Sequence, residues 1–81
     1  MMKTITYYMR SNCELCEEGL RTLKLVQEDI EFYIEEKNIE ADDALHEKYM
    51  FMIPVVEYNG EVIQYGYLDY VTLLGISELD N

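Results

Sequence analysis

The chain has 81 residues, which is enough for one small hydrophobic core and too few for two, so a single domain over 1–81 is expected. Six Lys and Arg stand against seventeen Asp and Glu, a formal net charge of −11. That balance excludes unaided binding of nucleic acid, whose phosphates require a basic face, and docking on an anionic membrane surface.

Lys3 to Met9 is rich in Thr, Ile and Tyr and reads as a strand, apolar on both faces at Tyr7 and Tyr8 as an interior strand would be. Ser11 and Asn12 break the pattern. From about Cys13 to Glu28 the apolar positions Cys16, Gly19/Leu20, Leu23 and Val26 recur at three and four, which is an amphipathic helix. Glu14, Glu17 and Glu18 lie in its first turns, where the helix dipole favours negative charge. Ile30, Phe32 and Ile34 then alternate with Glu31, Tyr33 and Glu35, a strand with one wet face suited to a sheet edge.

Ala41, Ala44/Leu45 and Lys48/Tyr49 return to helical spacing. Pro54 to Tyr58 is strand-like, Asn59-Gly60 is the strongest two-residue hairpin signal, and Glu61 to Tyr65 is the partner strand. After Gly66, the set Tyr67, Tyr70/Val71 and Leu74 is helical, with Gly75 as its stop. The order is β-α-β-α-β-β-α. The first two strands, joined by a helix, should be parallel with a right-handed crossover. The last two, joined by a tight turn, must be antiparallel. The fold class expected is α/β, one mixed four-stranded sheet with three helices.

No run reaches the roughly 18–20 apolar residues of a membrane span. Met1-Met2-Lys3-Thr4-Ile5 carries no cleavage-site pattern. A soluble, cytoplasmic and monomeric protein is therefore the expectation. Two cysteines are too few for a disulfide-scaffolded secreted domain, and a bridge between them closes so small a loop that it restrains the unfolded chain little. The pair is better explained by chemistry than by stability.

Cys13-Glu14-Leu15-Cys16 stands where the first strand joins the first helix. Side chains three apart at a helix start face the same way, so the two sulfurs can reach one another. The unpaired N–H groups of the helix end stabilise a thiolate at Cys13, while Cys16 lies about one turn deeper. One sulfur can attack a disulfide and the other can resolve the mixed disulfide. Against this stand half of a zinc site, for which only His46 remains as a further soft donor unless two chains share the metal, and a pair of inert packed cysteines. Pro54 alone reads as an ordinary proline opening a strand.

Three segments together resemble the glutaredoxin branch of the thioredoxin superfamily, in particular its short glutaredoxin-like proteins. They are Tyr8-Met9-Arg10-Ser11-Asn12-Cys13-Glu14-Leu15-Cys16-Glu17-Glu18, Ile53-Pro54-Val55, and Gly66-Tyr67-Leu68-Asp69. The resemblance implies a thioredoxin-like sheet of order 2-1-3-4 and a thiol-disulfide oxidoreductase that reduces protein or small-molecule disulfides. Cys13 and Cys16 would be its catalytic residues, and no bound cofactor or metal would be needed. It implies a cis Pro54 facing the cysteines and a substrate-binding set of Arg10, Ile53, Pro54, Gly66 and Asp69. The partners implied are a disulfide substrate and a cellular thiol reductant, glutathione or of thioredoxin type.

The sequence departs from the family where Gly-Gly-x-Asp is usual: Tyr65 replaces the first glycine and Asp69 falls one residue late. Within the cysteine motif, Glu14-Leu15 replaces the usual Pro-Tyr. A non-catalytic protein-binding module and a metal shared between two chains through C-x-x-C are the competing classes. The carboxylates at Glu14, Glu17 and Glu18 should make Cys13 a weaker acid than in typical glutaredoxins. Nine of the seventeen acids fall between Glu28 and Glu47, where a solvated face is expected.

Overall fold

A computed structural model describes residues 2–79. Strand β1 (Lys3–Met9) leads through a short loop into helix α1 (Glu14–Asp29), followed by β2 (Phe32–Asn38). A single 3-10 turn, Ile39–Ala41, precedes α2 (Asp43–Tyr49). Strands β3 (Val55–Tyr58) and β4 (Glu61–Tyr65) form the hairpin, and α3 (Tyr70–Leu73) runs into a 3-10 turn over Leu74–Glu78. The sheet has the order β2-β1-β3-β4, with β1 and β2 parallel and the other two pairings antiparallel. Both the order and the α/β class are those expected. No helix among the described residues is long and apolar enough to cross a membrane.

Strand periodicity divides the core into two layers. On one face Ile5, Tyr7 and Val56 pack with Leu23 and Val26 of α1 and with Leu73 and Ile76 of the C-terminal turns. On the other, Tyr8 and Val55 meet Ile39 and Tyr49. Adjacent residues of β1 thus serve opposite layers, which is why Tyr7 and Tyr8 are both apolar positions. Burial of each aliphatic core side chain contributes about 1.5–3 kcal/mol.

Boundaries differ from the expected ones in several places. Tyr67, expected in the last helix, lies in the loop before α3, because Asp69 caps that helix and it opens only at Tyr70; Pro54 stands just before β3, which begins at Val55. Ile30 caps α1, its N–H donating to Val26 O, so β2 begins at Phe32 and extends to Asn38. Ala41 belongs to the 3-10 turn, and Asp42 caps α2 by accepting from Ala44 N and Leu45 N. Gly75 does not end the last helix but sits inside the 3-10 turn, because Leu74 keeps helical dihedrals and the chain tightens rather than stops. The Asn59-Gly60 turn is as expected: both residues have positive φ, 49° and 83°, which matches the right-handed twist of the flanking strands.

Candidate active site

Register brings three loops to one end of the sheet. Tyr8 of β1 is paired with Val55 of β3, and Val55 with Tyr65 of β4. The chain leaving β1, entering β3 and leaving β4 therefore meets there, carrying Cys13, Pro54 and Gly66 respectively.

Cys13 is the N-cap of α1, in extended conformation, and its sulfur accepts from the backbone N–H of Cys16 at 3.1 Å. Asn12 precedes it with φ of 54°, the left-handed turn that redirects the strand into the helix. Cys13 and Cys16 are joined as a disulfide. Both cysteines are buried. A helix end that already donates an N–H to Cys13 Sγ is equally placed to stabilise negative charge on that atom after reduction.

The Ile53-Pro54 bond is cis, and Pro54 is fully buried. Gly66, at φ of +77°, donates its N–H to Pro54 O at 2.8 Å and so ties the end of β4 to the proline loop. A residue with a side chain rarely takes that φ, which gives this glycine a backbone reason to be there. The backbone N–H of Ile53 is already donated to Tyr49 O at 3.1 Å.

Arg10 is brought to the cysteine loop, where its Nη1 donates to the carbonyls of Ser11 (3.0 Å) and Asn12 (3.3 Å). Asp69 is the N-cap of α3. Its Oδ2 accepts from Thr72 N at 2.9 Å and Thr72 Oγ1 at 2.8 Å, and these bonds hold its carboxyl below the usual carboxylate range. Its own N–H is received by Gln64 Oε1. Asp69 thus has a local structural task in addition to its position beside Gly66.

Several residues that organise the site carry no motif. Tyr7, fully buried beneath α1, donates its hydroxyl to Cys16 O. Burial first, and the charge of Glu36 second, push this phenol far above its ordinary value, so it stays a neutral donor. At Gly19 α1 packs close against its neighbours: a Cβ there would lie 2.7 Å from Tyr7 Oη, 2.9 Å from Leu68 Cδ1 and 3.1 Å from Pro54 Cγ. A glycine in a helix interior costs about 1 kcal/mol relative to alanine, and that cost was the one sequence signal of a close approach.

Glu40 gave no such signal. Its Oε1 accepts from Ser11 N at 3.1 Å, while Asn38 Nδ2 donates to Ser11 Oγ at 3.2 Å. The loop before Cys13 is thus braced from the turn after β2. Glu40 belonged by sequence to the solvated acidic stretch. The other eight acids of that stretch are indeed exposed, but Glu40, although exposed too, adds a carboxylate to the cysteine loop.

On the opposite face of the sheet, Tyr8 and Tyr49 stack with ring centroids 4.7 Å apart, and both donate to Glu57, at 3.1 and 2.9 Å. Burial, with the adjacent Glu57, pushes both phenols up to about 12. Among the described residues no group of three or more His, Cys, Asp or Glu is arranged to hold a metal ion.

A paired-cysteine helix cap and a cis proline at the same end of a 2-1-3-4 mixed sheet define a protein of thioredoxin-like fold with a redox-type site. The comparisons agree with that class and narrow it. The family model described as Glutaredoxin-like domain (DUF836) matches residues 4–74, and the chain belongs to that family. Among solved structures, the NMR structure of Ne2328 from Nitrosomonas europaea is 27% identical with a TM-score of 0.78, over 90% of this chain and 88% of that one. The structural genomics target XcR50 from X. campestris is 23% identical with a TM-score of 0.78, over 91% and 95%. Thioredoxin 1 from Thermosipho africanus TCF52B shares the fold at 18% identity and a TM-score of 0.59, over 94% and 99%. No curated protein sequence matches the chain significantly.

Proposed function

We propose that the protein is a thiol-disulfide oxidoreductase working through Cys13 and Cys16. The observation that carries this reading is the placement of the Cys13–Cys16 pair: Cys13 Sγ caps α1 and accepts the Cys16 N–H at 3.1 Å. In the reduced protein, Cys13 thiolate attacks one sulfur of a substrate disulfide. A Cys13–substrate disulfide forms, the substrate S–S bond breaks, and the departing thiolate takes a proton from water. Cys16 then loses its proton and attacks Cys13 Sγ. The second substrate thiol is released, and the Cys13–Cys16 bond holds the oxidised state. A cellular thiol reductant, of glutathione or thioredoxin type, returns two electrons and two protons.

The surrounding residues have distinct roles in this proposal. Arg10 keeps the loop carbonyls of Ser11 and Asn12 in place and puts one positive charge at the mouth of the site. The Ile53 carbonyl is the backbone group left for a peptide to pair with, since the Ile53 N–H is given to Tyr49 O; buried Pro54 shapes that segment from beneath, and Gly66 ties it in place through Pro54 O. Asp69 sets the start of α3.

Insulin reduction, with dithiothreitol as electron source, tests the reading. Cys13→Ser should abolish turnover, and Cys16→Ser should accumulate a mixed disulfide at Cys13, visible as added mass that a reductant removes. Unchanged turnover in Cys13→Ser would reject Cys13 as the nucleophile.

A further inference from the structure

Resting on that reading, we propose that the preferred substrates are disulfides in basic polypeptides with an apolar side chain beside the cystine, and that anionic disulfides such as oxidised glutathione are poor ones. Two independent features of the surface around Cys13 carry this. The first is apolar exposure. Phe51, three residues before Pro54, is 91% exposed; Tyr67, next to Gly66, is 70% exposed; Leu15 lies exposed between the two cysteines. Leu15 lies on the first turn of α1, Phe51 on the loop entering β3 and Tyr67 on the loop leaving β4, three connections that the strand register gathers at one end of the sheet. Their apolar area is removed from water only when a partner covers it.

The second feature is charge contributed by two separate elements. Glu14, Glu17 and Glu18 stand exposed on the first turns of α1, and Glu40 reaches the same loop from the turn after β2 through Ser11 N. Arg10 is the one basic side chain on that loop, so four carboxylates face one guanidinium. A cationic segment gains attraction at this site, and a substrate bearing carboxylates is repelled at the step that brings its sulfur to Cys13. Asp69, tied to Thr72, adds negative charge by Gly66 rather than a cationic contact for a second carboxylate.

The test compares two peptide disulfides of matched sequence, one flanked by lysines and one by glutamates, each with a leucine beside the cystine. Both react with the same reduced protein, so their rate ratio is independent of the Cys13 thiol acidity. At about 10 mM salt, where the Debye length is about 30 Å, the lysine peptide should react about tenfold faster or more; at about 1 M salt, where it is about 3 Å, the ratio should fall below about threefold. Combined Glu14→Gln, Glu17→Gln, Glu18→Gln and Glu40→Gln should collapse the low-salt ratio. Neutralising Glu28, Glu31, Glu47 and Glu61, four exposed charges elsewhere, should retain it.

Phe51→Ser should slow the leucine-containing peptide about fivefold more than the same peptide with serine in place of leucine. A ratio near one, a ratio insensitive to salt, equal effects of the two charge sets, or equal losses with Phe51→Ser would overturn the proposal. Reaction with neutral 2-hydroxyethyl disulfide but with neither peptide would also overturn it. Reaction with none of the three would instead reject the oxidoreductase reading beneath it.

Discussion

Replacing Gly19 with alanine sets two known effects against each other inside one helix. Alanine is the better helix former by about 1 kcal/mol. The added methyl, however, meets three groups at 2.7, 2.9 and 3.1 Å. The nearest, Tyr7 Oη, cannot swing aside, because the ring is fully buried and the hydroxyl is held by Cys16 O. Overpacking of this kind costs about 1–3 kcal/mol, and the immobility of Tyr7 places this site in the upper part of that range.

The net expectation is therefore a loss of about 1–2 kcal/mol. For a domain of this size that lowers Tm by roughly 4–8 °C for each kcal/mol. Urea unfolding of the oxidised protein, with the m-value compared to show that the same surface unfolds, measures it. Tyr7→Phe removes the closest atom, so Gly19→Ala should cost less in that background, with a coupling of about 0.5–2 kcal/mol. A Gly19→Ala protein as stable as the parent, or an equal loss in both backgrounds, would refute the argument that α1 is held against the sheet at this point.

Other outcomes follow from the same geometry. Glu57→Gln should move the Tyr8 and Tyr49 titrations from about 12 toward the ordinary value near 10 without reaching it, since burial is the larger cause; alkaline absorbance titration reads this. Because both phenols are raised on folding, they support the folded state fully below pH 10 and lose that support as pH rises through about 12. Asp69→Ala should destabilise by loss of the α3 cap. Its carboxyl is lowered on folding, so the deficit is full above the unfolded value near 3.9 and disappears as pH falls through the lowered one; urea midpoints of both proteins between pH 2 and 7 should show it. Leu23→Ala, at a fully buried position under the sheet, should cost about 2–5 kcal/mol in the same unfolding assay.

Local periodicity carried the element order, the parallel and antiparallel pairings and the position of Cys13 at a helix start. Each of these depends on residues within a few positions of one another, and side chains at period two or 3.6 must face one core. Asn59-Gly60 was legible for the same reason, because both residues need positive φ. The cis state of Pro54 did not follow from spacing; it was expected only from the resemblance to glutaredoxins.

Contacts between distant segments required the folded chain. Glu40 reads as one more solvated acid until the turn after β2 packs against Ser11, 29 residues earlier. Glu57 is only one residue of a strand-like segment until Tyr8 and Tyr49 converge on it. The net charge of −11 pointed away from nucleic acid and anionic membranes from the sequence alone. Sequence proximity placed Glu14, Glu17 and Glu18 beside Cys13, but only the tertiary structure added Glu40 to them, because a charge acts through space and not over a count of residues.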